Sequence, residues 1–190
     1  MPPKTKYDKN AIVKAGLEIA KEKGLAGITA RSVADQLKSS VAPIYVNFAT
    51  VEDLVEAVVQ RVFGISRELL EKQEGESLFE NIGKASLAFA REYPVLFREL
   101  SLQPNPYMES YESLEKVMVE ALAEDEAMKD WTPMERKRLL FKMRVFQMGL
   151  SAMVANDHIP LWLDEHEADE LLMEVGDDVL LAHRIKRKEK

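Results

Sequence analysis

The chain has 190 residues and a net charge of −7; 46% of its residues are hydrophobic, 31% are charged and none is Cys. Without Cys it has no disulfide framework, no thiol nucleophile, no thiol redox sensor and no cysteine metal site. No stretch approaches the roughly eighteen apolar residues of a membrane span, and the first residues lack the apolar run of a signal peptide. We therefore expect a cytoplasmic protein that is not associated with a membrane.

The first predicted element is an amphipathic helix over residues 8–23. Its apolar residues recur at helical spacing, so that Ile12, Ala15 and Ile19 form one stripe. Gly24 follows at the position where a helix often ends in a left-handed residue. The stripe predicts that this helix packs on a small core.

Residues 28–54 predict two short helices joined by a tight turn, with a third helix following at once. Thr29 is placed to cap the first helix. Ser40 is predicted to cap the second, in which Ile44 and Phe48 lie one turn apart. This is the pattern of a helix-turn-helix, whose second helix enters the DNA major groove with its N-terminal residues leading.

The sequence Ile-Tyr-Val-Asn-Phe at residues 44–48 resembles the recognition helix of the TetR family of bacterial regulators. With the flanking Thr-capped helices, the resemblance covers about residues 10–62. It implies an all-α protein that begins with a three-helix helix-turn-helix DNA-binding domain, residues 1–50. A connecting helix at about 51–71 would then lead to a helical effector-binding and dimerisation domain, residues 72–190.

The turn and the recognition helix depart from the family's usual pattern. Lys38 stands where the family usually has Gly, so it must adopt a left-handed conformation at some energetic cost or use a different turn. Val41 and Pro43 replace a basic residue and a Thr that often face DNA, and Ala49 replaces a Lys. Because fewer cations mean weaker phosphate binding, an alternative is a regulator-like interaction protein whose helix-turn-helix binds a protein partner instead of DNA.

Charge is distributed unevenly along the chain. Residues 1–48 hold eight Lys or Arg against four Asp or Glu, net +4, so the remainder has 18 against 29, net −11. The basic surface therefore lies at the N-terminus, as in a protein that binds double-stranded DNA. Asn47 is the predicted hydrogen-bond partner of a base edge, and Tyr45 of a phosphate. The predicted DNA-binding residues are Lys4, Lys6, Thr29, Arg31, Lys38, Ser40, Val41, Ala42, Pro43, Tyr45, Val46, Asn47 and Thr50.

Beyond residue 50 the pattern is helical throughout. Thr50 and Asp53 have the spacing of a capping box at the start of a helix that is predicted to run to about Glu71. Breaks at Pro and Asn residues separate the later helices. These helices are predicted over residues 77–92, 95–102, 106–123, 133–155 and 167–185.

The last two predicted helices carry more apolar surface than one small domain can cover. In TetR-like proteins such helices pair with their symmetry mates, so the resemblance implies a homodimer on a pseudo-palindromic operator. The other possibility is that both apolar stripes face one core within the chain. The predicted dimer-interface residues are Leu150, Val154, Leu171, Leu172, Val175 and Val179.

The middle helices are predicted to surround a pocket for a small apolar effector. Aromatic, Met and amide side chains at helical spacing would line it, although the same side chains are also typical of a core. An effector bound there would favour a dimer that no longer matches the operator, which is repression relieved by a ligand. The predicted pocket residues are Phe89, Phe97, Tyr107, Tyr111, Met118, Met143, Phe146, Gln147 and Met153.

The sequence contains no signature of catalysis or of a metal site. It has no Gly-rich phosphate loop, no Gly-x-Ser-x-Gly and no His-Glu-x-x-His. Asp157, His158 and His166 lack the further ligands that a metal site needs. We therefore predict that the protein is not an enzyme and has no catalytic residues, no cofactor and no metal.

Overall fold

The computed structural model describes residues 7–75, 78–107, 111–124 and 128–188. Within these residues the secondary structure is helical and no strand occurs, so the all-α prediction is confirmed. The helices are α1 (Lys9–Lys23), α2 (Ala30–Gln36), α3 (Ala42–Asn47), α4 (Val51–Glu71), α5 (Leu78–Glu92), α6 (Pro94–Phe97), α7 (Tyr111–Ala121), α8 (Pro133–Ala155) and α9 (Glu165–Lys188). A 3-10 turn, Leu25–Gly27, follows α1, and a π-helical turn, Arg98–Leu102, follows α6.

The chain forms two compact units. The first comprises Met1–Gln73 with Ala88–Tyr107, and the second comprises Glu74–Leu87 with Met108–Lys190. The division into a DNA-binding and an effector-binding domain stays a prediction. No helix in the described part of the chain is long and apolar enough to cross a bilayer.

Helix α1 is the centre of the first unit, where it packs against α2, α4 and α6. Its stripe is buried as predicted, and α4 supplies the largest share of the side chains opposite it. Burying aliphatic side chains of this size stabilises the fold by about 1.5–3 kcal/mol each. The fully or almost fully buried side chains of this core include Ile12, Ala20, Val33, Ile44, Leu54, Val58, Val59 and Val62.

Two helices of the first unit begin at the N-caps that the sequence predicts. Thr29 Oγ1 accepts the N–H of Ser32 at 3.0 Å, and Ser32 Oγ accepts the N–H of Thr29 in return. Thr50 and Asp53 form the same reciprocal pair at the start of α4. The predicted caps of α2 and α4 are therefore confirmed.

Other boundaries differ from the predictions. Ser40 does not cap α3, which starts after Val41 with no side-chain cap. A cap at Ser40 would accept the N–H of the residue two or three positions further on, which is Ala42 or Pro43, and Pro43 has no N–H. The backbone of Gly24 has φ 75° and ψ 177°, so its φ is positive but it is not in the left-handed helical region.

The segment predicted as one helix over residues 95–102 is α6 followed by the π-helical turn, and α6 begins one residue earlier because Pro94 suits the first helical position. A helix does not begin at Pro106. The amide of Asn105 donates to the carbonyls of Glu99 and Leu100 and its oxygen accepts the N–H of Tyr107, which holds a turn there.

Helix α8 has the predicted bounds and is the central helix of the second unit, where it packs against α7 and α9. Thr132 and Glu135 form its capping box. One core cluster contains Met128, Trp131, Leu139 and Met143, and another contains Leu87, Leu150 and Leu172. Helix α9 is longer than predicted, because Asp164 and Glu167 cap its start ahead of residue 167.

A single carboxylate joins the end of α1 to the π-helical turn. Glu99 Oε2 accepts the N–H of Leu25 at 2.8 Å. A Cβ on Gly24 would lie 2.4 Å from Glu99 Oε1, so a larger residue would displace the carboxylate from its bond to Leu25. The φ and ψ of Gly24 also fall in a region that is essentially restricted to Gly.

We predict that Gly24→Ala lowers the free energy of unfolding by about 2–4 kcal/mol, because backbone strain adds to the clash with Glu99. Gly64→Ala in the same unit is the matched control. There a Cβ would meet only the flexible end of Arg61, so removing a mid-helix Gly should stabilise the protein by about 0.5–1 kcal/mol. Urea denaturation measures both; equal effects of the two substitutions would contradict the role assigned to Gly24.

Candidate nucleic-acid interface

Helices α2 and α3 are joined by a turn centred on Lys38. Lys38 has φ 51°, so of the two predicted alternatives it adopts the left-handed conformation. The N–H of Ser39 donates to the carbonyl of Ala34 at 2.9 Å, and the N–H of Lys38 donates to that of Asp35 at 3.1 Å. This pair of bonds is the Schellman motif, which satisfies the last carbonyls of α2 and offsets part of the strain at Lys38.

Helix α3 presents one side to solvent because its other side is anchored in the core. Ile44 is fully buried and Phe48 is 4% exposed. The Nζ atom of Lys9 lies 5.1 Å from the centroid of the Phe48 ring. On the opposite side Tyr45 is 53% and Val46 72% exposed. A helix held in this way offers a fixed set of side chains to a partner.

Asn47 is placed less freely than the sequence indicates. Its side-chain amide nitrogen donates to the carbonyl of Pro43 at 2.8 Å, and the side chain is half-buried. A bidentate contact with a base requires one amide hydrogen and the oxygen. One hydrogen and the oxygen are not used by the bond to Pro43, so the contact predicted for Asn47 stays geometrically open.

The helix-turn-helix exposes most of the residues that are predicted to bind DNA. The hydroxyls of Thr29 and Thr50 are engaged as helix caps. Pro43 and Asn47 are half-buried, and Lys4 and Lys6 lie outside the described residues. The exposed members of the set are Thr29, Arg31, Lys38, Ser40, Val41, Ala42, Tyr45, Val46 and Thr50.

Sequence reasoning missed a contact made by Tyr7. Its hydroxyl donates to the carbonyl of Leu37 at 2.7 Å, immediately before the left-handed Lys38. The bond fastens the chain ahead of α1 to the end of α2, beside the turn of the helix-turn-helix. The one signal in the sequence was an aromatic residue within an otherwise polar and basic segment.

Solved structures share this architecture over almost their whole length. The fatty acid degradation regulator FadR from Bacillus halodurans aligns with a TM-score of 0.60 at 15% identity, covering 90% of this chain and 94% of its own. A TetR variant from Acinetobacter baumannii AYE in complex with minocycline aligns with 0.57 at 18% identity, covering 96% and 99%. The ketosteroid transcriptional regulator KstR2 of Mycobacterium tuberculosis gives 0.52 at 16%, covering 93% and 95%.

The chain has the TetR-like fold. At identities of 15–18% the likeness establishes the architecture. No family model matches the sequence, and no curated protein matches it. The placement of helices α1–α4 in this TetR-like fold agrees with the resemblance carried by residues 44–48.

The residues predicted for the effector pocket are divided between the two units of the TetR-like fold. Phe89, which stacks on Tyr93, belongs to the first unit with Phe97 and Tyr107. The other described members belong to the second unit: Met118, Met143, Phe146, Gln147 and Met153. Gln147 donates to Ser86 Oγ, and the side chain of Tyr111 lies outside the described residues. A shared pocket for these residues stays a prediction.

The residues predicted for the dimer interface pack mainly inside the second unit. Leu150 and Leu172 are 5% exposed and share a cluster with Leu87. Val154 packs against that cluster and Val179 against the one around Trp131, while Leu171 and Val175 are half-buried. Leu150, Leu172, Val154 and Val179 therefore pack within the chain's own core.

The outward sides of α8 and α9 carry a different set of apolar residues. Phe141 and Val145 are each 58% exposed on α8, and Leu181 and Ile185 are about as exposed on α9. Each pair is separated by four residues and therefore lies one helical turn apart. The sequence prediction named residues on the inner sides of these two helices, and the dimer interface stays a prediction.

Among the described residues, the ionisable groups with a shifted pKa lie on α4 and α9. Arg61 Nη1 bonds Glu68 Oε1 at 2.6 Å, which lowers the pKa of Glu68 and raises that of Arg61. Burial, followed by the charge of Lys142, lowers the pKa of His183, which stacks on Trp131. Among the described residues no group of three His, Asp or Glu is arranged to hold a metal ion.

We predict that Lys38→Gly raises the free energy of unfolding by about 0.5–1 kcal/mol, because relief of the left-handed strain exceeds the added entropy of the unfolded chain. Lys38→Ala removes the same charge but keeps the strain, so it should not stabilise the protein. Thermal and urea denaturation of the two variants measure the difference. Equal stability of Gly and Ala at position 38 would show that the turn is not strained.

Proposed function

We propose that the protein is a ligand-responsive, sequence-specific DNA-binding transcriptional regulator. The observation that carries the proposal is α3, whose exposed Tyr45 and Val46 are held outward by the burial of Ile44 and Phe48. A helix at this position of a helix-turn-helix fits the DNA major groove. The TetR-like fold supports the same function. The protein would act in the cytoplasm as a repressor that a small-molecule effector releases from its operator.

The proposed contacts fall into two groups. Val41 and Val46 would touch thymine methyl groups and Asn47 would reach a base edge, so these residues specify sequence. Arg31 and Lys38, both exposed, would bind phosphates together with the hydroxyl of Tyr45. Thr29 and Thr50 would contribute through the exposed N-termini of α2 and α4, where free N–H groups favour an anion.

The effector part of the proposal is supported by the fold neighbours. One of them was solved in complex with minocycline, and two are described as regulators connected with fatty acids or ketosteroids. A small molecule bound to the helices that follow α4 would favour one arrangement of the two recognition helices over another. That differential affinity is what couples effector binding to release of DNA.

The homodimer part rests on the outward sides of α8 and α9. Phe141, Val145, Leu181 and Ile185 expose apolar surface on two helices that pack side by side. A second copy related by a two-fold axis would cover this surface with the same residues and form a four-helix bundle. Two recognition helices related in this way match a pseudo-palindromic operator.

We predict that selection from random double-stranded DNA yields a palindromic motif with the parent protein and no motif with a Tyr45→Ala, Asn47→Ala double variant. The double variant truncates two side chains of α3, while Ile44 and Phe48 keep the helix in place. Leu161→Ala, which truncates a fully exposed apolar residue far along the chain, is the matched control and should select the parent's motif. No enrichment by the parent protein at low salt would overturn the proposal and favour a protein partner.

We predict that Arg31→Gln weakens binding to the selected operator and lowers the slope of log K against log salt by about 0.9 for each phosphate that Arg31 neutralises. Lys186→Gln makes the same change of charge near the end of α9 and should leave the slope unchanged. Fluorescence anisotropy over a series of salt concentrations measures both slopes. A slope that is already flat in the parent protein would argue against phosphate binding.

We predict that Phe141→Glu converts the dimer to a species with the 21.6 kDa mass of one chain, because it buries a charge in the proposed bundle. Leu161→Glu introduces the same charge at an exposed apolar site outside the bundle and should leave the dimer intact. Sedimentation velocity gives both masses. If Phe141→Glu remains dimeric, the two-fold interface lies elsewhere.

A further inference from the structure

A cleft of about 520 Å³ opens in the second unit between α7 and the first turn of α8. Apolar contact is available at Val119 and Ala123 on the α7 side, and Pro133 and Arg136 line the α8 side. None of the residues predicted for the effector pocket is among the described residues that line it. The chemistry of this cleft is therefore an observation independent of the sequence prediction.

Arg136 sets the electrostatic character of the cleft. Its side chain is 8% exposed, and its Nη1 atom donates to the carbonyls of Trp131 at 2.6 Å and Met128 at 3.2 Å. Its Nε atom has no hydrogen-bond acceptor. Carbonyl groups do not neutralise the guanidinium, and no carboxylate in the described part of the chain pairs with it. A buried cation is costly unless an anion accompanies it.

The surroundings of Arg136 add to the positive potential. Arg136 and Lys137 lie near the N-terminus of α8, where the helix dipole already favours negative charge. Lys137 is paired with Glu115 at 3.5 Å across the cleft. The described residues that line the cleft include three cations, Lys116, Arg136 and Lys137, and two carboxylates, Glu115 and Glu120. Among these residues the excess charge is positive, and its most buried part is Arg136.

We propose that this cleft binds an organic monocarboxylate. The carboxylate would bind Arg136 from the cleft that this side chain lines, through a charge-assisted hydrogen bond to its guanidinium. A short apolar body would lie against Val119 and Ala123. The inference names the chemical class of the effector in the proposed function. Release of DNA by the carboxylate depends on that function, whereas binding of the carboxylate to the cleft does not.

The test measures binding in the absence of DNA. The chain has two Trp, so Trp162→Phe leaves Trp131, whose carbonyl is bonded to Arg136, as the single fluorescent reporter. Hexanoate and hexanamide are the two probes, since they share an apolar chain and differ in charge. Hexanoate is expected to change the emission of Trp131 and to bind at least about tenfold more tightly than hexanamide, because its bond to Arg136 is charge-assisted.

Substitutions of opposite sign test the location without disturbing the fold. Glu120→Gln should tighten hexanoate binding about threefold and Lys116→Gln should weaken it about threefold, because both side chains are exposed and partly screened. Lys186→Gln, outside the cleft, is the matched control and should change nothing. Arg136→Met should abolish binding. Because Arg136 also holds two carbonyls, a thermal melt must show that Arg136→Met is folded. If it is not, the Glu120→Gln and Lys116→Gln variants decide whether the cleft is the binding site.

Equal affinity for hexanoate and hexanamide, or no response to hexanoate at millimolar concentration, would overturn the proposal. Insensitivity of hexanoate binding to both Glu120→Gln and Lys116→Gln would overturn it as well. The proposed function can fail while this inference holds. In that case DNA selection would yield no motif, and hexanoate would still bind more tightly than hexanamide.

Discussion

The burial of Ile44 and Phe48 is the interaction that fixes the position of α3 and of its exposed side chains. Helix α3 has six residues, too few to be stable alone, so its position comes from tertiary packing. The core formed around α1 and α4 receives Ile44, and the ring of Phe48 lies under Lys9. The positions of the exposed Tyr45 and Val46 are therefore set by these two buried side chains.

Helix α1 connects that anchored surface to the rest of the first unit. It packs against α2 and α4 of the helix-turn-helix and against α6. The π-helical turn after α6 adds the bond from Glu99 to the N–H of Leu25, just beyond the end of α1. At Gly16 a Cβ would come within 2.9 Å of Val58, so the two long helices of this core approach closely. A displacement of the segment 94–102 would therefore act directly on α1 within the first unit.

Local rules predicted much of this structure, and tertiary contacts explain what they missed. The caps at Thr29 and Thr50 and the unusual turn at Lys38 follow from residues a few positions apart, and the structure contains all three. The turn held by Asn105 and the bond from Tyr7 depend on partners that spacing does not reveal. The same limit applies to the outward Phe141 and to the unpaired Arg136, since periodicity identifies a stripe but not what covers it.

The bond between Tyr7 and Leu37 has a practical consequence for work with the purified protein. The bond holds Tyr7 beside the turn between α2 and α3. In the proposed function this turn lies at the operator, so a basic affinity tag joined at the N-terminal end would add nonspecific phosphate contacts of its own. An uncharged tag, removed before the measurement, keeps salt titrations of DNA binding interpretable.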